Sequence, residues 1–262
     1  MTGVPALWPR RWTRQQRSTA TIVAAAAALL LVMWLVATPL SWMPEPIGSA
    51  AREFALGTRV TVWLTLVSGV AGIALGVLAA LAKLAPFPPL RWAASFYVWA
   101  IRGTPLLVQV LFVFLALPMI LPGVKLSDFN SAALALAVNV GAYNAEAIRA
   151  GILAVPSGQT EAARSLGLSP LQTFRDVVFP QSFKIALPPL VNNVVALLKD
   201  SSLAYVIGVV ELSNIGNRVQ AATFQPVPVF VATAGIYLVL TTVLTQISGA
   251  IEARLDIEQR GR

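Results

Sequence analysis

From Ser18 to Pro44 the chain carries no charged residue. The same holds from Val60 to Ala82, from Gly103 to Val124 and from Val219 to Ile251. About 20 apolar residues take a helix across the hydrocarbon of a bilayer, so each run is long enough to span one. Of 262 residues, 57% are apolar and 11% charged. Soluble domains carry about 25% charge. This chain has too little charge to coat a water-soluble surface, which excludes an ordinary cytosolic enzyme, a disordered regulator and a small secreted domain.

Two shorter charge-free runs, Phe129 to Ala145 and Ile185 to Leu198, are closed by Glu146 and by Lys199 and Asp200. They read as spans with ionisable residues near one end. The expectation is an all-α membrane protein of six helices, near residues 19–38, 57–82, 94–120, 130–150, 186–208 and 229–250. The first helix follows a basic tail over 1–18. That start resembles a signal peptide, but its apolar stretch exceeds a typical h-region of about 7–15 residues. It is read as an uncleaved span.

Orientation follows the basic residues, because cytoplasmic loops hold the excess of Lys and Arg. With the N-terminus inside, the inner segments hold Arg10, Arg11, Arg14, Arg17, Lys83, Arg91, Arg149, Arg164, Arg175, Lys184, Arg254, Arg260 and Arg262. The outer segments hold only Arg52, Arg59, Lys125 and Arg218. Both termini and the stretch 151–185 are therefore expected in the cytoplasm. The net charge of +8 has the same origin, and no nucleic-acid partner is expected. Gly69, Gly72 and Gly76 share one helix face. They mark either a close helix–helix contact or the ordinary frequency of glycine in spans.

The chain has no cysteine and no histidine. Disulfides, a thiol nucleophile, the commonest metal ligand and the commonest general base are all absent. No catalytic residue and no metal site are expected.

Gly151–Lys184 differs from a simple turn. Thr160 can cap a short helix from Glu161 to Leu166, with Glu161 and Arg164 spaced to pair on its surface. Gly167 supplies the left-handed residue that ends it. Ser169 and Pro170 open a second helix with an apolar stripe of Leu171, Phe174, Val177 and Val178, which Pro180 is expected to end. This helix–Gly–helix elbow exposes Ala162 and Ala163. It is either a docking knob for a soluble partner or a loop packed on its own membrane domain.

At these residues the chain resembles the membrane subunit of a binding-protein-dependent ABC importer of type I, polar amino-acid branch. Glu161-Ala162-Ala163, then Gly167, Val177, Phe179 and Pro180, follow the spacing of the family's cytoplasmic motif, with Val and Phe in place of Ile and Leu. Three further blocks are similar: Arg102-Gly103-Thr104-Pro105-Leu106-Leu107-Val108-Gln109, Tyr143 to Ile152, and Leu198-Lys199-Asp200-Ser201-Ser202-Leu203. The resemblance covers about residues 55–252, a five-helix core preceded by one extra helix, with a short tail at 253–262. It implies a multi-pass subunit of a bacterial plasma (inner) membrane, paired with a second permease subunit as homodimer or heterodimer. It implies ATPase subunits that hold ATP and Mg, an extracytoplasmic binding protein, and an amino acid as cargo. It assigns ATPase coupling to Glu161, Ala162, Ala163, Arg164, Gly167 and Pro180. The chain has no G-x-x-x-x-G-K-[ST] loop to cradle phosphates, so no nucleotide cofactor of its own is expected.

Charge inside hydrocarbon costs about 2.5–3.5 kcal/mol on insertion scales. Arg102, Glu146, Lys199 and Asp200, with the amides Asn144 and Asn193, are therefore candidates for a polar path that would meet the charges of a zwitterion. The reading preferred for each is structural, as a contact between helices. The alternative function is a self-sufficient secondary transporter or channel. A membrane-embedded enzyme ranks last.

Overall fold

The computed structural model describes residues 13–260. Arg10, Arg11 and Arg262 of the expected basic tails lie outside the described residues. Every regular element among the described residues is helical. The order is α1 (Arg14–Leu35), α2 (Ala37–Ser41), α3 (Ile47–Leu84), α4 (Pro88–Arg102), α5 (Leu106–Leu111), a π turn (Phe112–Ala116), α6 (Leu117–Ile120), α7 (Asp128–Leu153), α8 (Ser157–Ser165), α9 (Pro170–Gln172), a second π turn (Thr173–Val178), α10 (Phe179–Asp200), a 3-10 turn (Ser201–Ile207), α11 (Leu212–Thr223) and α12 (Pro226–Arg260).

Four stretches are long and apolar enough to cross a membrane: Gln16–Leu35, Ile47–Leu84, Pro170–Ile207 and Pro226–Ala253. The pair α4 and α5–α6 passes the same test but is bent by 110°. The sixth long helix, α7, is not among them. Its asparagines and charges lower its apolarity, and it tolerates them by lying inside the bundle against α3 and α10.

α3 begins ten residues before the expected 57. Arg52, Glu53 and Arg59 interrupt the apolar run but not the helix, because charge limits hydropathy rather than backbone geometry. With 38 residues it is about 57 Å long. The expected single helix over 94–120 is broken instead at Gly103-Thr104-Pro105. Pro105 has no N–H to continue the ladder. Gln109 stabilises the break: its Nε2 donates to the Ile101 carbonyl at 2.8 Å and to Thr104 Oγ1 at 2.9 Å. Asn139 Nδ2 on α7 donates in turn to Gln109 Oε1 at 2.9 Å.

α3 and α7 form the central pair. A Cβ on Gly72 would overlap Val140 Cγ1, and one on Gly76 would lie 2.6 Å from the Asn144 Cβ. On Gly69 it would meet only Leu197 Cδ2, at an ordinary 3.6 Å. Gly72 and Gly76 therefore serve a close backbone contact, and Gly69 sits beside it.

Sidedness follows from three contacts. Ser18 Oγ donates to the Ala250 carbonyl at 2.9 Å, so the start of α1 and the end of α12 are level. Leu40 packs with Ile47, Ala50 and Phe54, so the end of α2 meets the start of α3. Lys83, at the end of α3, pairs with Glu146 on α7, seven residues before α7 ends and the chain turns into α8. One side of the bundle holds the start of α1, the ends of α3 and α12, and α8. The opposite side holds α2, the start of α3, and α11, whose Ile215 and Val219 join the Leu40 cluster.

Candidate functional site

The segment 154–180 is an elbow of two helices. α8 begins at Ser157 behind Pro156, so Thr160 lies inside the helix rather than capping it. Pro156 sets the start, since its fixed φ suits an extended residue just before a helix. The other end matches expectation. Gly167 has φ +82°, its N–H donates to the Arg164 carbonyl at 2.9 Å, and the Leu168 N–H donates to the Ala163 carbonyl at 3.2 Å. This pair of bonds is a Schellman closure. Ser169 caps the next helix in a reciprocal box with Gln172: the Gln172 N–H donates to Ser169 Oγ at 3.3 Å, and the Ser169 N–H to Gln172 Oε1 at 2.9 Å.

Three further sequence expectations fail here. Pro180 does not end the helix, because the π turn Thr173–Val178 shifts the ladder: the Phe179 N–H donates to the Phe174 carbonyl, five residues back. The chain passes the proline and runs on as α10. Ala163 is not exposed. At 4% exposure it is packed inside the elbow, where α8 lies on the π turn and Thr173 is also buried. No ion pair joins Glu161 to Arg164, and both side chains are exposed.

Ala162 is exposed as expected. At the tip, Leu166 is 84% and Leu171 75% exposed. The elbow therefore has a packed inner seam and two bare apolar side chains, with Glu161 and Arg164 on the same short helix. Isolated exposed leucines are common. Two of them on a rigid, hydrogen-bonded tip, at the end of the bundle where α7 stops and α10 begins, form a shaped contact surface.

The polar residues of the spans fall into two groups. Asn144 is buried, and its Oδ1 accepts from Asn193 Nδ2 at 2.9 Å, joining α7 to α10. Glu146 pairs with Arg149 at 2.9 Å, as their spacing predicts, and also with Lys83. Arg102, Lys199 and Asp200 form the second group. Arg102 is exposed at the α4 break with its guanidinium 5.2 Å from the Tyr143 ring centre, a cation–π distance. Lys199 is exposed and Asp200 half-buried at the end of α10.

Glu211 was not singled out from the sequence. It is 0% exposed and caps α11. Its Oε1 accepts from the Asn214 N–H at 2.8 Å. Its Oε2 accepts from the Ser213 N–H at 2.9 Å, Tyr237 Oη at 2.9 Å and Thr61 Oγ1 at 3.3 Å. Burial pushes this carboxyl above the usual glutamate range, and the four donors only partly offset the effect. The group ties α3, α11 and α12 together on the side opposite the elbow. An acid immediately before an apolar helix start was the available signal. Its partners Thr61 and Tyr237 lie too far away in sequence to be read.

Residues 72–257 match the family described as "Binding-protein-dependent transport system inner membrane component". The chain is 41% identical to the L-cystine transport system permease protein TcyB of Bacillus subtilis (strain 168), over 76% of its own length and 85% of that protein's. It is 37% identical to the arginine transport system permease protein ArtQ of the same organism, over 76% and 90%. It is 36% identical to the glutamine transport system permease protein GlnP of Escherichia coli (strain K12), over 77% and 92%. Among solved structures, an amino acid ABC transporter crystallised with histidines superposes with TM-score 0.74 at 37% identity, covering 79% of this chain and 95% of that one. The MetNI methionine ABC transporter in an inward-facing form shares the fold, with TM-score 0.63 at 20% identity. The chain belongs to the binding-protein-dependent transport system inner membrane component family. It is a membrane-embedded permease subunit of the ABC importer type.

Proposed function

We propose that this chain forms the translocation path of an ATP-driven importer for a polar amino acid, working beside a second permease subunit. The observation that carries the reading is the elbow: a self-closed helix pair with Leu166 and Leu171 bare at its tip. The cargo class rests on the cystine, arginine and glutamine permeases to which the chain is similar. In this reading both termini and the elbow face the cytoplasm, where a separate ATPase subunit grips Glu161, Ala162, Arg164 and the two leucines. Gly167 sets the angle of the knob. Pro180 and the π turn before it form the joint to α10. An extracytoplasmic binding protein delivers cargo to the face that carries α11.

The mechanism needs no bond-making chemistry in this chain. Closure of the ATPases around nucleotide would draw the elbows together as rigid bodies. The buried Ala163–Thr173 seam keeps each elbow from collapsing under that load. Displacement would pass into α7 and α10 together, since both leave the elbow directly. Arg102, Lys199 and Asp200 are then the charged candidates to meet a passing zwitterion, while the Asn144–Asn193 bond and the pairing of Glu146 with Lys83 and Arg149 brace the path wall.

Proteoliposomes containing this chain, its ATPase and its binding protein test the proposal. Uptake should require ATP and all three components. L166E together with L171E should abolish ATPase stimulation by the loaded binding protein, while the chain still inserts and purifies. ATP-independent uptake by this chain alone, driven by an ion gradient, would identify a self-sufficient transporter instead.

A further inference from the structure

An apolar groove of about 800 Å³ lies between α1–α2 and the first half of α12. It runs from Leu31 to Met43 along the first wall and from Pro228 to Val239 along the other. At 1.5 Å per residue each wall is about 17 Å long. The hydrocarbon of one leaflet is about 15 Å deep, half of the roughly 30 Å core. The groove therefore has the length of one leaflet, the one opposite the elbow.

Trp42, which is 81% exposed, marks its headgroup end, where amphipathic rings collect. The charged residue in the lining is Glu45, exposed at that same end, its Oε2 accepting from Ser49 Oγ at 2.5 Å. The wall is fixed in place. Arg59 on α3 donates from Nε to the Met33 carbonyl at 2.9 Å and lies over the Trp34 ring at 4.9 Å, pinning α1. The described start of α1 and the last turns of α12 meet at the other side, through Ser18 and Ala250.

We infer that the groove holds an acyl chain of one membrane phospholipid from the leaflet opposite the elbow, with an amine headgroup against Glu45. The length selects a lipid tail, and the apolar wall leaves it nothing polar to meet until the carboxylate at the mouth. An ammonium there gains an ion pair, and an anionic glycerol headgroup is repelled. The lipid would act as mortar between the core and α1, a helix that precedes the family-matching region.

The full chain in nanodiscs of equal palmitoyl-oleoyl phosphatidylethanolamine and phosphatidylglycerol, released into native mass spectrometry, tests this. One retained phospholipid per chain is expected, enriched in the ethanolamine form by about threefold, the size of an exposed ion pair. G235F fills the groove: Gly235 lines it, and a Cβ there meets nothing within 4 Å. It should lose the retained lipid while the thermal transition survives. E45Q should keep the lipid and lose the headgroup preference. Lipid retention by G235F equal to the parent would overturn the site. Equal retention of both headgroups by the parent would overturn the role of Glu45. The chain has no cysteine, so G235C can carry a single photo-cross-linker, and capture of a second copy or another protein rather than lipid would also overturn it.

Discussion

Gly72 on α3 and Val140 on α7 touch so closely that no methyl group fits between them. Gly76 meets the Asn144 Cβ in the same way one turn further along. G72A should therefore force the two helices apart, at about 1–3 kcal/mol for overpacking. G69A should change stability by only a few tenths of a kcal/mol, since its Cβ finds an ordinary contact. Thermal unfolding of the purified variants in detergent compares the two. Equal losses would show that the seam is not as tight as its geometry indicates.

A second prediction concerns the inside of the elbow. A163L places three extra carbons where α8 lies on the π turn and should splay the two helices. Coupled ATP hydrolysis should fall at least tenfold, with membrane insertion and expression near normal. A162S, on the exposed face, should retain most activity. ATPase assays of the assembled importer, read beside expression level, separate a coupling defect from a folding defect.

Glu146 serves two cations, Lys83 and Arg149. E146Q removes the charge that holds both, and should cost about 2 kcal/mol, the worth of a hydrogen bond between charged groups. K83M should cost less, because Glu146 keeps Arg149. If Lys83 acts through Glu146, K83M in an E146Q background should cost little more than E146Q alone. A double-mutant cycle on chemical or thermal unfolding measures this coupling directly. Additive losses would mean that the three side chains do not form one unit.

The Glu211 cluster yields a pH dependence. Burial holds the folded-state carboxyl above its unfolded value, so the folded chain keeps this proton to a higher pH than the unfolded chain does. Stability from this group should fall as pH rises from the ordinary glutamate value, about 4.3, through the raised folded value, and then level off. E211Q should flatten that slope. Y237F should remove a donor to the ionised form and steepen it. Unfolding midpoints measured across this acidic window provide the check. A slope unchanged in E211Q would assign the pH dependence elsewhere.

The charge-free runs located the long helices because hydrocarbon tolerates so few charges that their absence is itself a signal. Gly167 and Ser169 were legible for a local reason: each satisfies a helix end within three or four residues. The family resemblance assigned the elbow its coupling role and brought the polar blocks into view. What escaped was decided by partners distant in sequence or by the register of the ladder. Pro180 reads as a stop, yet a π turn that ends two residues upstream carries the helix past it. Ala163 reads as exposed beside Ala162, because only the return of the chain at Thr173 covers it. The bend at Gly103-Thr104-Pro105 replaces the single helix expected over 94–120, and its 110° angle is held by Gln109 and by Asn139 from another helix. Glu211 depends on Thr61 and Tyr237, which no local pattern connects.

The unbroken run of α3, sealed along α7 by two glycines, also limits how the molecule can change shape. A seam with backbone against backbone has no slack for sliding, and a rod about 57 Å long without a proline has no hinge. If a gate opens and shuts in this subunit, the strut must travel as one piece. The yielding has to occur elsewhere, first at the kinked α4–α5 junction.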